Sequence, residues 1–226
     1  HIFYIKKLRI NMLEKKIIKI IEIFTLGFVF PILVVYFSLS NYILIFLWII
    51  FLYTFIIFIK LYKEANLFKN AFNLIKLRKY FFFIILRWFF ALIVLYYFTK
   101  FLFPEKLFLL QKNDNTLLYK IFILYPIFSA FPQEFIFCTF FFKRYESLFK
   151  NEKTMIVMSS LIFCFAHIFV INWVAPLLGI FGGLLFALTY SKTKSLLLVS
   201  FEHALYGNTL FFLGLGWFFW GGSVGN

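Results

Sequence analysis

Long apolar runs alternate with short polar segments along the whole chain. Seven of these runs approach 20 residues, the length that a helix needs to cross the hydrocarbon core of a bilayer. We predict membrane-spanning helices at residues 20–37, 42–59, 80–99, 118–142, 154–171, 173–190 and 195–213. A further apolar stretch at 210–220 extends the last helix, forms a short eighth span or lies at the membrane interface. The pattern therefore predicts an all-α, polytopic transmembrane helical bundle of about 7–8 spans.

The composition supports the same fold class. Of 226 residues, 64% are hydrophobic and 14% are charged, whereas a soluble domain carries about a quarter charged residues. The core of a chain this long cannot enclose so much apolar surface. The composition therefore excludes an ordinary soluble enzyme, a disordered chain and a disulfide-stabilised secreted domain. Cys138 and Cys164 both fall in apolar runs, and we expect them to be buried free thiols.

The charge balance is strongly basic, with 23 Lys and Arg against 9 Asp and Glu. In a soluble protein this excess would favour a nucleic-acid partner, but here the basic residues follow the loops between the predicted spans. With a cytoplasmic N-terminus, 18 of them fall in inner segments and 4 in outer segments. The positive-inside rule therefore predicts a multi-pass cell-membrane protein with its N-terminus in the cytoplasm. We expect the inner loops to contact anionic lipid, and we expect no nucleic-acid partner.

The inner loop at residues 60–79 has a helical pattern of its own. Its apolar positions recur at steps of three and four residues, and lysines occupy the other faces. The apolar positions are Leu61, Ala65, Phe68, Phe72 and Ile75. This spacing predicts an amphipathic helix that lies on the inner membrane surface.

Few ionisable side chains fall inside the predicted spans, where each costs at least about 2.5–3.5 kcal/mol on insertion scales. Glu134 lies in the fourth span, His167 in the fifth, and Glu202 and His203 in the seventh, where Asn208 follows. Their depths allow one shared polar pocket near the middle of the membrane. The alternative is an interhelical hydrogen-bond network without a chemical role.

Other conspicuous residues have structural explanations. Glu22 and Arg87 lie where their side chains can reach the membrane surface. Asn172 ends the fifth span, and we expect it to cap a helix or belong to a loop. Pro126 and Pro132 precede the glutamate of the fourth span, and we expect them to kink that helix and free backbone carbonyls.

The residue types in the predicted pocket suit peptide hydrolysis. A carboxylate withdrawn from bulk water can act as a general base on a water molecule, and a neutral histidine can hold that water. A second histidine and an asparagine amide can donate hydrogen bonds to the developing oxyanion. The GxSxG turn of serine hydrolases and the HExxH pattern of zinc proteases are both absent from the sequence. An alternative of another class is a redox or transport protein in which His167 and His203 are axial haem ligands.

Three short motifs on separate predicted spans resemble those of the CAAX protease and bacteriocin-processing (CPBP, or Abi) family of intramembrane proteases. The family pattern is EExxxR, FxxxH and HxxxN, in that order. The aligned segments here are QEFIFC at 133–138, FCFAH at 163–167 and HALYGN at 203–208. The resemblance covers about residues 120–220. With hydropathy and charge, it divides the chain into a basic N-terminal segment (1–19), three spans with the inner amphipathic helix (20–117) and a CPBP-like catalytic core (118–226).

The resemblance implies an intramembrane endopeptidase that hydrolyses a peptide bond in a membrane-embedded protein or peptide, without a metal or another cofactor. Glu134 and His167 would activate water, and His203 with Asn208 would stabilise the oxyanion. The supporting residues would be Gln133, Phe163, Glu202 and Gly207. The similarity to bacterial members implies a bacterial inner membrane as the location.

The sequence departs from the family pattern at three positions. Gln133 stands where the family has its first Glu, and an amide cannot act as a general base. Cys138 replaces an Arg that could hold the neighbouring carboxylate. Asn208 follows His203 by five residues rather than four, which rotates it about 140° around a regular helix. The alternative function is therefore a catalytically inactive member that binds a membrane partner or acts in bacteriocin immunity or signalling.

Overall fold

The computed structural model describes residues 15–62 and 74–220, and these residues form helices and short connections without a β-strand. Seven of the described helices are long and apolar enough to cross a membrane. The candidate spans are Lys15–Tyr36, Ser40–Leu61, Arg78–Leu102, Asn115–Arg144, Glu152–Val170, Val174–Thr193 and Leu196–Leu213. Their helices are labelled α1 (Lys15–Tyr36), α2 (Ile43–Leu61), α3 (Leu74–Leu102), α4 (Asn115–Arg144), α5 (Glu152–Phe165), α6 (Val174–Thr193) and α7 (Leu196–Leu213). The prediction of an all-α polytopic bundle is confirmed.

The inner amphipathic helix predicted at 60–79 falls mostly on residues 63–73, which lie outside the described residues. Its last positions belong to the first turns of α3, which begins at Leu74. The division of the chain at residues 19 and 117 stays a prediction.

The apolar segment after α7 does not form an eighth span. Gly214 ends the helix with a φ of +88°, and Leu215–Phe219 form a 3₁₀ turn. A Cβ at Gly214 would collide with the carbonyl of Lys106, so this position needs glycine both for its backbone angle and for space. The Asn172 side chain donates to the Phe218 carbonyl at 2.8 Å and accepts from the backbone at the start of α6, so its prediction as a cap is confirmed.

The two prolines of α4 interrupt its regular hydrogen bonding. Two π-helical stretches, Pro126–Ala130 and Phe135–Phe140, separate its three regular segments. Because Pro132 has no N–H, the Phe128 carbonyl one turn earlier loses its ordinary helical partner. The indole Nε1–H of Trp48 on α2 donates to that carbonyl at 3.0 Å. The freed carbonyl therefore joins α2 to α4.

Charged contacts gather at one end of the bundle. Arg144 at the end of α4 pairs with Glu22 of α1 at 2.9 Å, and the Tyr53 hydroxyl donates to the same carboxylate. Lys194 pairs there with Glu152. Glu22 is only 8% exposed, so the expectation that it reaches the membrane surface is wrong: a partner on a distant helix holds it inside.

Small residues bring α5 and α6 into close contact. A Cβ at Gly183 would lie 3.1 Å from the Cα of Ser160, and one at Gly179 would lie 3.5 Å from the Cα of Cys164. Two glycines four residues apart thus let the helix backbones approach, as is common between membrane helices. Cys138 and Cys164 are free thiols, as predicted, and Cys138 is buried, but Cys164 is only partly buried, so the expectation of burial is wrong for that residue.

Candidate active site

A cavity of about 1400 Å³ lies among the helices, and all seven contribute to its wall. The wall is mostly apolar. On α3 several wall residues also face outward, and Phe89 and Phe90 are 55% and 70% exposed. The cavity is therefore open toward the side of the bundle. Its polar wall residues near the predicted site are Tyr125, Ser129, Gln133, His167 and His203.

A chain of three side chains connects α4 and α7 at this wall. His203 Nδ1 lies 2.7 Å from Glu134 Oε1, and His203 Nε2 lies 2.9 Å from the Tyr125 hydroxyl. Glu134 is fully buried and lies outside the cavity wall, whereas His203 and Tyr125 both contribute to it. The carboxylate thus fixes the imidazole from one side, and the opposite nitrogen faces the hydroxyl and the cavity.

Aromatic rings hold the His203 imidazole in place. Phe186 of α6 stacks on it with the ring centroids 4.5 Å apart, and Phe163 of α5 meets it edge-on at 5.6 Å. Phe163 also contacts the His167 ring, with centroids 4.7 Å apart. Phe163 therefore bridges the two histidines that the sequence placed in one pocket.

His167 lies just after the end of α5. Its Nδ1 is 2.7 Å from the Phe163 carbonyl oxygen. Since a carbonyl oxygen only accepts, Nδ1 carries the proton, and Nε2 of the neutral ring is left as the basic nitrogen. Glu134, which the resemblance pairs with His167, bonds His203 instead.

Gln133 is the motif residue of α4 that reaches the cavity. Its Nε2 donates to the Ser129 hydroxyl at 2.8 Å, and its Oε1 is buried without a hydrogen-bond partner among the described residues. The family pattern has its first Glu at position 133, and here the amide of Gln133 lines the cavity at that position. The carboxylate of Glu134 does not line the cavity.

Glu202 belongs to a separate polar cluster. Its carboxylate accepts from Arg87 at 2.6 Å and from Thr189 at 2.5 Å, and it is fully buried. The cluster joins α3, α6 and α7. Arg87, whose side chain is 37% exposed, therefore pairs with a buried carboxylate of another helix, and the expectation that it reaches the membrane surface stays a prediction.

Asn208 and Gly207 lie beside α4. The Asn208 amide donates to the Phe122 carbonyl at 3.3 Å, and this is the carbonyl that Pro126 deprives of its helical partner. α7 is regular here, so Asn208 points away from the face of His203. A Cβ at Gly207 would collide with the Tyr125 ring, which fills the space beside that glycine.

Tyr125 is the residue that the sequence did not single out. The chain holds 13 tyrosines, and none of them stands out in an aromatic sequence. The available signals were Gly207, which leaves room one turn after His203, and the position of Tyr125 directly before a helix-breaking proline. The described residues also include no group of three His, Cys, Asp or Glu that could hold a metal ion.

Comparison with known proteins gives one family match. Residues 115–209 match the family model described as type II CAAX prenyl endopeptidase Rce1-like. This range begins with α4 and ends within α7, and it contains all three motifs. No curated protein and no solved structure matches the chain significantly.

Proposed function

We propose that the chain is an intramembrane endopeptidase that hydrolyses a peptide bond in a membrane-associated protein or peptide, because residues 115–209 match the family model of type II CAAX prenyl endopeptidases. The observation that carries the proposal is a pair of imidazoles, His167 and His203, on the wall of one cavity. Each ring is held by a hydrogen bond at Nδ1. Because the cavity is open to the side of the bundle, a substrate can enter from the bilayer.

His167 is suited to activate the attacking water. The Phe163 carbonyl fixes the proton on Nδ1, so Nε2 can accept a proton from water. The water oxygen bonds to the carbonyl carbon of the peptide while Nε2 takes one water proton. The intermediate then breaks its C–N bond, and His167 returns that proton to the departing amine. The products are a carboxylic acid and an amine, and His167 is neutral again.

Glu134 acts through His203 in this proposal. Its carboxylate bonds His203 Nδ1 and lies outside the cavity wall, so it does not reach the water. It orients the ring and balances the positive charge that His203 carries when both ring nitrogens are protonated. The protonated ring directs Nε2–H toward the cavity, where it stabilises the oxyanion.

A direct assay tests the proposal. The protein is reconstituted in lipid nanodiscs and incubated with an internally quenched peptide that ends in a CAAX motif, in unmodified and farnesylated forms. We expect cleavage by the wild type and a fall in kcat of about 10²–10⁴-fold in His167→Ala. Absence of cleavage by the wild type, or equal cleavage by a folded His167→Ala variant, would contradict the proposal.

The amide of Gln133 favours a second candidate function, which is binding of a membrane peptide without cleavage. A glutamine side chain can pair with a peptide group through its donor and its acceptor, but it cannot take a proton from water. In this case the wild type binds the quenched peptide without cleaving it, and Gln133→Glu creates an activity. A wild type that already cleaves excludes this candidate.

A further inference from the structure

Position 207 is where the HxxxN pattern has its asparagine, and glycine stands there in this chain. The volume that a side chain at 207 would occupy is filled by Tyr125 of α4. A Cβ built on Gly207 would collide with the Cε1, Cζ and hydroxyl oxygen of that tyrosine. The phenol of one helix thus takes the place of a side chain on another.

The hydroxyl of Tyr125 is placed for chemistry at His203. It lies 2.9 Å from His203 Nε2, and the residue lines the cavity beside the histidine. The ring is held edge-on by Phe211, with centroids 5.5 Å apart, so the hydroxyl position is fixed by packing. A phenol hydroxyl both accepts and donates. It can therefore turn its own proton from His203 Nε2 to a substrate oxygen, and the protonated imidazole can direct Nε2–H to the same oxygen.

Asn208 is not placed for this task. Its amide nitrogen donates to the Phe122 carbonyl on α4, which a proline has freed. Turning it toward His203 would leave that carbonyl unpaired and would require α7 to lose its regular winding.

We propose that Tyr125, rather than Asn208, is the second oxyanion donor beside His203, and that Gly207 is required to admit its ring. This inference rests on the proposed function, because it names a donor for that reaction. The Tyr125 hydroxyl forms a hydrogen bond to the oxyanion and keeps its proton, so no bond is made or broken at this residue. The resulting donor pair combines an imidazole from α7 with a phenol from α4.

The variant Tyr125→Phe removes the hydroxyl and keeps the ring that packs on Gly207. We expect kcat for the quenched peptide to fall by about 10²–10³-fold, as for the loss of one oxyanion donor, while KM changes less than about threefold. Tyr119→Phe is the matched control, because Tyr119 lies on the same helix and is 66% exposed. We expect this control to keep the wild-type kcat.

A side-chain swap separates a chemical role from a structural one. Gly207→Asn alone should lose activity, because the new side chain collides with the ring. Tyr125→Ala should lose activity because the donor is gone. In the double variant Tyr125→Ala/Gly207→Asn the amide occupies the vacated space, and we expect kcat to recover at least about tenfold over Tyr125→Ala. The double variant Tyr125→Ala/Gly207→Leu fills the same space without a donor, and equal recovery of kcat in both double variants would show that the tyrosine is only structural.

Nitrogen NMR of labelled histidine reports the hydrogen bond independently of cleavage. In Tyr125→Phe we expect the His203 Nε2 resonance to shift, while that of His167 stays in place. A cleaving wild type whose folded Tyr125→Phe variant keeps the wild-type kcat would overturn this inference and leave the proposed function standing. A wild type that cleaves neither form of the peptide would contradict both.

Discussion

The buried polar residues of this chain form two groups with different surroundings. Glu134 and His203 meet at a cavity wall, where one side of the imidazole remains accessible to a substrate. Glu202, one residue before His203, faces another side of α7 and is saturated by Arg87 and Thr189. Successive side chains of a helix lie about 100° apart. His203 therefore faces the cavity, whereas its neighbour Glu202 faces the contact with α3 and α6.

The carboxylate of Glu134 gives a residue-level prediction. Glu134→Gln keeps the size of the side chain but removes the negative charge that supports a protonated His203. We expect kcat to fall by about 10²–10⁴-fold with little change in KM, measured with the quenched peptide in nanodiscs. The matched control is Glu105→Gln on the exposed connection after α3, which should keep wild-type kinetics. Wild-type turnover in a folded Glu134→Gln variant would contradict the role given to this carboxylate.

The sequence singled out Glu134, His167 and His203 because ionisable groups are costly in an apolar background. It did not show that Glu134 bonds His203 rather than His167, because that choice depends on how α4 and α7 pack. The contact between Tyr125 and His203 could not be predicted for the same reason. The sequence did predict that Asn208 points away from His203, because a separation of five residues on a regular helix rotates the second side chain by about 140°.

At the scale of the elements, α4 is the helix that organises the site. Its proline-freed carbonyls accept from side chains of α2 and α7, and these bonds hold the interrupted helix against its neighbours. The sequence predicted the breaks, because proline always lacks the N–H. It could not predict the donors, because Trp48 lies 80 residues from the carbonyl that it bonds.

The bond from Trp48 to the Phe128 carbonyl gives a prediction about stability. Trp48→Phe keeps an aromatic ring in the packing but leaves the carbonyl unpaired. We expect the free energy of unfolding to fall by about 1–3 kcal/mol, measured by denaturant titration in mild detergent. Trp173→Phe is the control, because Trp173 is 57% exposed and its ring contacts with Phe98 and Phe103 persist in the variant. Equal stabilities of the two variants would argue against the capping role.

At the scale of the whole molecule, the cluster of Arg87, Thr189 and Glu202 ties α3 to the core helices. α3 is otherwise poorly buried, and many of its large apolar side chains are exposed to the surroundings of the bundle. An ion pair in this place positions a helix that packing alone holds weakly. Because α3 also forms part of the cavity wall, the cluster helps to fix the shape of that wall.

The ion pair predicts non-additive effects. Arg87→Met should lower the free energy of unfolding by about 2–4 kcal/mol, because it leaves the fully buried Glu202 carboxylate without its cation. Glu202→Met should lower it by less, because the Arg87 side chain is 37% exposed. The double variant should lose less than the sum of the two single losses, by about 1 kcal/mol or more. The double-mutant cycle is measured by denaturant titration, and strictly additive losses would show that the two side chains do not stabilise each other.

The orientation of the bundle is a further prediction at this scale. The ion pairs of Arg144 and Lys194 lie at the same end as the lysines that begin α1. We expect the basic end to face the cytoplasm against anionic lipid, with the C-terminal side of α7 outside. A periplasmic phosphatase reporter fused after residue 226 should be active. If only a cytosolic reporter is active at this position, the predicted orientation is wrong.

We propose above that the two-histidine site hydrolyses peptide bonds of membrane proteins or peptides. The most direct measurement is quantitative mass spectrometry of new peptide termini in membranes from bacterial cells that express either the wild type or His203→Ala at equal levels. We expect termini within or beside membrane-embedded segments that occur with the wild type and vanish with the variant. Identical termini in both samples would contradict the proposal.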